Sequence, residues 1–277
     1  GEYRKESNPD RIFENTGLVQ NFQVDYRQDY TASAEYALSE KAAATLSYAY
    51  EQVDYPDRPF QDFTSHTADL GFAYNLSRFA TETKARLDLG FGRGVYEGLT
   101  VNNYTVTVGV FRAVHELWSA QVDIGGRYTT STFDVLGQRQ ESNDTGWVGD
   151  ASVIYSGERT NANFTFSNDI APAYGYVGAV QRTAGVLNLS RRFLHELSGT
   201  LSAGYYWNKS QRGEFSFRSI DEQSALLRPG LRWEATKHIV FDAAYQYYWR
   251  KDELTGAISV QNLVYAGATL SYPFFDE

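Results

Sequence analysis

The sequence predicts an all-β chain: a transmembrane, antiparallel, up-and-down β-barrel of about 14 strands, even in number and within a range of roughly 12 to 18. Three observations predict it. Apolar residues recur at every second position through nearly every segment. In Leu187 to Trp207, for example, Leu187, Leu189, Leu201, Ala203, Tyr205 and Trp207 alternate with Asn188, Ser190, Thr200, Ser202, Gly204 and Asn208. A period of two marks a strand with one apolar and one polar face. Aromatic residues make up 16% of the chain although its mean hydropathy is only -0.46. A barrel reconciles these two values, because half of each strand faces a watery lumen and half faces lipid. No run approaches the roughly 18 consecutive apolar residues of a membrane-crossing helix, so any crossing is made by strands.

Composition excludes several other classes. The chain has no cysteine, hence no disulfide and no thiolate metal site. A formal charge of -9 argues against a nucleic-acid binder, which needs a basic surface. No apolar signal segment opens the sequence at Gly1, so an export signal is expected to have been removed or left out.

In chain order, residues 1–15 read as a polar lead-in and residues 16–277 as a single barrel domain. From Leu18 to Leu38 the even positions are mostly apolar, and the expected reading is two strands with a turn at Arg27 to Asp29. Six short polar turns follow, near Ser39 to Lys41, Ser77 to Ala80, Ala113 to Glu116, Ser156 to Arg159, Arg191 to Glu196 and Ala235 to His238. Between them lie Asp54 to Phe63, Gly94 to Leu99, Ser131 to Asn143, Asp169 to Ala179, Gln211 to Phe217 and Asp252 to Gly256, most of them longer. Short turns at one end and longer loops at the other are the asymmetry of an outer-membrane barrel, with the short turns periplasmic and the loops extracellular. Ser131 to Asn143, the longest, is expected to be an ordinary external loop, with an inward constriction as the alternative.

The arms end in aromatics suited to the headgroup level: Tyr48, Tyr74, Trp118, Tyr128, Trp147, Tyr155, Tyr205, Trp207, Trp233, Tyr247, Trp249 and Tyr272. The last strand, Ile258 to Phe274, ends its outward series in Tyr272 and Phe274, which read as an assembly signal for the outer-membrane insertion machinery.

The stretches YALSEKAAATLSYAY, YNLSRFATETKARLDLGFG, LNLSRRFLHELSGTLSAGYYW and LRWEATKHIVFDAAYQYYW resemble hairpins of the β-barrel porins of Gram-negative outer membranes, some of which are encoded beside exopolysaccharide-export systems. The likeness covers nearly the whole chain from about residue 16. It implies a pore in the outer membrane without naming what passes.

For chemistry, the four histidines give little. His115, His195 and His238 fall in short turns and His66 near a strand start, and His115-Glu116 and His195-Glu196 are neighbours pointing to opposite faces. Neither GxSxG nor HExxH occurs, so no catalytic residue, metal site or cofactor is expected and the chain does not read as an enzyme. The informative residues are charges of lumen parity: Lys84, Arg86, Asp88, Asp123, Arg127, Asp150, Arg182, Glu222, Arg228, Arg232, Glu234, Asp242 and Arg250. Opposite charges on neighbouring strands fix register by pairing, and rings of charge set ionic selectivity; the two readings are compatible. The resulting expectation is a porin or channel giving small polar or charged solutes passive transport through a charged lumen. An exopolysaccharide-export barrel with periplasmic partners, and a structural or adhesive platform with a closed lumen, are the alternatives. Expected partners are outer-membrane lipid and the insertion machinery, with no nucleic acid.

Overall fold

A computed structural model describes residues 2–6, 25–56, 62–77, 80–135, 137–173 and 176–271. Its strands in chain order are β1 (Glu2–Glu6), β2 (Asp25–Ser39), β3 (Ala42–Asp54), β4 (Phe63–Asn75), β5 (Thr83–Tyr96), β6 (Leu99–His115) and β7 (Trp118–Val135). They continue as β8 (Gln138–Ser156), β9 (Thr160–Pro172), β10 (Ala179–Arg192), β11 (Leu197–Ser210), β12 (Ile220–Thr236), β13 (Ile239–Asp252) and β14 (Ile258–Leu270). All fourteen form one sheet in sequence order, each antiparallel to the next. This is the up-and-down architecture expected from the alternation, and the strand number agrees.

The alternation sets which way each side chain points. Register pairs Tyr104 with Tyr128, Val106 with Gly126 and Val108 with Ile124 on one face, and Thr105 with Arg127 and Gly109 with Asp123 on the other. A slip of one residue would exchange the faces. The first face is the outside of the sheet. There Leu46, Val106, Val108, Val122, Ile124, Leu231 and Val264 are exposed to a degree that no water-bathed surface tolerates as one continuous band.

Aromatics bound this band. Toward the short turns stand Tyr36, Tyr74, Trp118, Tyr155, Trp233 and Phe241, with Trp118 against Tyr155 at 4.8 Å between ring centroids and Trp233 against Phe241 at 5.6 Å. Toward the other end stand Tyr48, Tyr104, Tyr128, Trp147, Tyr205 and Trp207. Tyr247 and Trp249 lie on the same face, paired with Leu227 and Ala225. Trp118 and Tyr128 are ten residues apart on one strand. At roughly 3.3 Å per residue and a tilt of about 40° they are separated by about 25 Å along the barrel axis, the height of an outer-membrane apolar band.

Several expectations are corrected. Residues Asp25–Ser39 form one uninterrupted strand through Arg27 to Asp29, where a turn was expected. The alternation never breaks parity there, so continuous pairing with β3 competes successfully with a turn. Glu2–Glu6, expected within a lead-in, pairs with Asp25–Asp29 as β1. Ser131 to Asn143 is not a loop: Ser131 to Val135 and Gln138 to Asn143 are paired strand, reversed at Gly137 with φ +77°. Its Thr, Ser and Gln residues are polar yet extended, and cross-strand pairing overrides composition. Gly94 to Leu99 likewise contracts to a tight turn at Glu97 and Gly98, with φ +70° at the glycine. Tyr272 and Phe274 lie outside the described residues.

The ends of the sheet differ from its middle. Among the described residues β14 pairs only with β13, and Thr31–Ser39 of β2 pair only with β3. The sheet is nevertheless rolled up. Phe215, in the connection after β11, packs with Val53 of β3, Phe63 of β4, Tyr96 of β5 and Phe133 of β7, which a flat sheet would hold far apart.

Candidate functional site: a charged lumen under an inward plug

The inner face carries the predicted charges, and they fall into distinct groups. On one wall, strands β3 to β9 line a cavity of about 590 Å³ containing Asp69, Asp88, Asp123, Asp150, Asp169 and a single cation, Arg86. Five carboxylates against one guanidinium give this cavity a formal charge of -4. Arg86 binds Asp88 at 3.3 Å on its own strand and reaches Asp123 at 3.6 Å, two strands away. It can do so because Gly109 of β6 stands between them in register, opposite Arg86 on one side and Asp123 on the other. A Cβ at Gly109 would overlap the Asp123 carboxylate. Gln121 donates to Asp123 Oδ2 at 2.6 Å, whereas its buried Oδ1 has no hydrogen-bond partner among the described residues.

Gly109→Val is therefore expected to break the Arg86–Asp123 pair and, because its Cβ would also lie 2.6 Å from the Val122 carbonyl oxygen, to push β6 and β7 apart locally. A buried charge pair parted on one side typically costs about 3–5 kcal/mol. Asp123 is buried but Arg86 is about a third exposed, so the low end or less is expected, read as a fall in the urea midpoint of refolded protein.

Arg127 forms a second group. Its guanidinium lies over Gly146, donates to Thr129 Oγ1 at 3.0 Å and binds Asp144 at 2.7 Å. The opposite wall is balanced. Arg232 meets Glu234 at 3.4 Å and Asp242 at 3.8 Å, and Arg228 lies 5.7 Å from the Tyr265 ring centroid. Around them a second cavity of about 640 Å³ is lined by Ser198, Thr200 and Ser202. Lys84 stands exposed near the short turns. Arg250 binds Glu222 at 2.6 Å, and Arg182 donates to Asn208 at 3.4 Å. The charges thus do not form one ring; they divide into an acidic wall and a compensated wall.

Sequence reading missed the plug. Toward the loop end the inner face turns apolar, with Val53, Phe63, Tyr96, Leu99, Val101 and Phe133 all buried. What buries them is the connection Gln211 to Ser219, which folds into the lumen. Phe215 is 2% exposed and sits under Arg127, 5.1 Å from the guanidinium carbon to its ring centroid, while Phe217 meets Phe133 edge-on at 5.3 Å. Glu214 accepts from the Gln211 amide at 2.9 Å, and Gly213 turns the chain at φ +84°. The signal was present as Phe215 and Phe217 at period two inside a polar connection, which apolar parity in a water-exposed loop does not explain.

A second inward segment, between β9 and β10, joins the first. The Ala179 amide donates to the Phe215 carbonyl at 2.8 Å, and Gly178 bridges to Ser216. Only glycine fits Gly178: its φ is +120°, and a Cβ would collide with the Phe215 carbonyl. Tyr176 ties this segment to the wall, donating to Glu222 at 2.8 Å and accepting from Arg250 at 3.2 Å.

Burial, then the Glu222 charge, push the Tyr176 phenol up to about 12. A raised folded-state value means that its contribution is complete below the ordinary tyrosine range near 10 and is lost as pH rises through about 12. Tyr176→Phe should remove one phenol from the late-ionising part of the tyrosine absorbance titration.

No family model matches the chain, and no curated protein matches it. Among solved structures it is similar to the copper transporter OprC, with 11% identity over 90% of this chain and 52% of that one, at a TM-score of 0.56. It also matches the ferric yersiniabactin uptake receptor FyuA from Yersinia pestis, with 12% identity over 83% of this chain and 43% of that one, at 0.47. The siderophore receptor PiuA from Acinetobacter baumannii gives 10% identity over 86% and 49%, at 0.45. The chain spans about half the length of the copper transporter it resembles. At this identity the first likeness speaks to fold alone, and the fold is that of an outer-membrane β-barrel.

Proposed function

We propose that the protein is an outer-membrane transport barrel whose lumen passes small cationic and polar solutes passively, and whose loop end is constricted by the two inward segments. The observation that carries this reading is the acidic wall: a cavity with a formal charge of -4 facing a wall whose charges cancel. Such a field concentrates cations and repels anions. The copper transporter has a fold of this kind, and a metal cation or its complex belongs to the solute class that this wall favours. No catalytic step is assigned to the protein.

Planar-bilayer recording on purified protein tests the proposal, with cation-over-anion permeability read from the reversal potential in a salt gradient. A charge about 4 Å from a permeant cation contributes about 1 kcal/mol in water. Asp123→Asn and Asp150→Asn are each expected to lower the permeability ratio about fivefold. Anion preference in the native protein, or no change in either variant, overturns the assignment.

The packed cluster around Phe215 favours a second reading, a structural barrel with a permanently closed lumen. It predicts silence at every voltage in the unaltered protein.

A further inference from the structure

The outer face of the barrel carries a groove as well as the apolar band. Its volume is about 760 Å³, and it crosses β10 to β14. The outward side chains along it are Leu189, Leu201, Leu231, Tyr245 and Val264, with Ala243 on its floor. Among the described residues that line it, one carries a charge, Arg191. Phe193 closes the groove beside this arginine, its ring folded back from the turn onto Gly199, where a Cβ would come within 2.6 Å of the ring.

Register fixes the slope of this groove. Arg191 is the last outward residue of β10 before the short turn, in register with Gly199 and through it with Leu231. At the far end Tyr245 stands four residues beyond Phe241 of the turn-end aromatics, opposite Val264. The groove thus starts at headgroup level and descends into the hydrocarbon. Arg191 is exposed and makes no ion pair or hydrogen bond among the described residues. The Arg192 amide donates to the Arg159 carbonyl at 2.8 Å, which gathers Arg159, Arg191 and Arg192 at one corner against Glu158 and Glu196. The corner is net cationic. An outward guanidinium without a carboxylate is stable only where it reaches water or an anion at the interface.

We propose that this groove holds one anionic glycerophospholipid, with its phosphate on the Arg191 guanidinium and an acyl chain laid over Ala243 toward Val264. The chemistry of the groove matches that occupant at both ends. A guanidinium offers a phosphate two parallel donors, whereas the apolar trough beyond it takes a hydrocarbon tail. Charge at one end alone orients an amphiphile whose own charge is at one end. The slope places head and tail at the depths where a bilayer lipid already carries them, so binding does not require the lipid to move along the membrane normal. The tail also covers Pro229, where the β12–β13 ladder skips Arg228 and Pro229 because proline has no N–H to give.

Native mass spectrometry of the full chain in detergent micelles tests this, with phosphatidylglycerol and phosphatidylcholine of identical acyl chains as probes. One phosphatidylglycerol is expected to stay bound per barrel, about tenfold more tightly than phosphatidylcholine, the effect of one charge-assisted contact. Arg191→Gln should remove that preference. Arg192→Gln, at the neighbouring position of opposite parity, should keep it. Ala243→Leu fills the floor and should weaken both lipids while the preference persists. Arg191 and Ala243 are both exposed, so neither change disturbs the packing of the sheet, which circular dichroism checks. Equal binding of the two lipids by the unsubstituted barrel, a preference that survives Arg191→Gln or is lost equally in Arg192→Gln, or binding indifferent to Ala243→Leu overturns the proposal. So does a dimeric mass that Ala243→Leu converts to monomer, which would put a second copy in the groove. Conductance does not enter this readout, so its outcome is independent of the transport reading.

Discussion

Leu201→Arg is expected to destabilise the barrel by about 2–4 kcal/mol in lipid, the cost of a cation near the midplane of the outward face. Leu201 points outward between Leu189 of β10 and Pro229 of β12, inside the apolar band. Thr200→Arg, one residue earlier, should cost far less. Thr200 faces inward beside Gly230 and opens onto the cavity of about 640 Å³, where a guanidinium keeps its water. Urea titration of both variants refolded into the same vesicles measures the difference. Equal costs would overturn the assignment of the two faces, a reversed order would mean that inside and outside are exchanged, and either would undo every assignment made for the lumen.

The second large effect concerns Phe215. Truncating a buried Phe to Ala costs about 3–5 kcal/mol, and here the loss falls on docking of the inward segment. A penalty of that size shifts a docked-to-undocked ratio by more than about a hundredfold. Phe215→Ala should therefore leave the strands paired while Arg212 and Arg218 become rapidly cleaved by trypsin, and conductance should rise. Replacing Arg212 to Arg218 with a short Gly-Ser turn should raise it further. A plug variant that is cleaved faster yet still conducts nothing would favour the permanently closed barrel.

The fold was legible in the sequence because alternation alone decides it: Val106, Val108 and Val110 against Thr105, Thr107 and Gly109 leave no helical reading. The membership of the lumen face followed from the same parity. The grouping within that face did not. That Arg86 reaches Asp123 depends on Gly109 being in register with both, and register between strands is set by pairing across turns whose lengths composition misjudged at Gly98 and Gly137. The plug escaped for a different reason. Its energy comes from contacts between Phe215 and residues of β3 to β7, more than eighty positions earlier; local pattern shows two apolar residues at Phe215 and Phe217 but not what they pack against.

The main-chain bridge between the two inward segments has a kinetic consequence. With the Ala179 amide on the Phe215 carbonyl and Gly178 pressed against Ser216, the departure of one segment alone breaks a backbone hydrogen bond to the other, a coupling of about 1 kcal/mol. The two are expected to leave together more often than either leaves alone. Single-molecule current traces should then show partial openings less often than two independent segments would give, and strengthening the link should lengthen the shut intervals without changing the height of the open level.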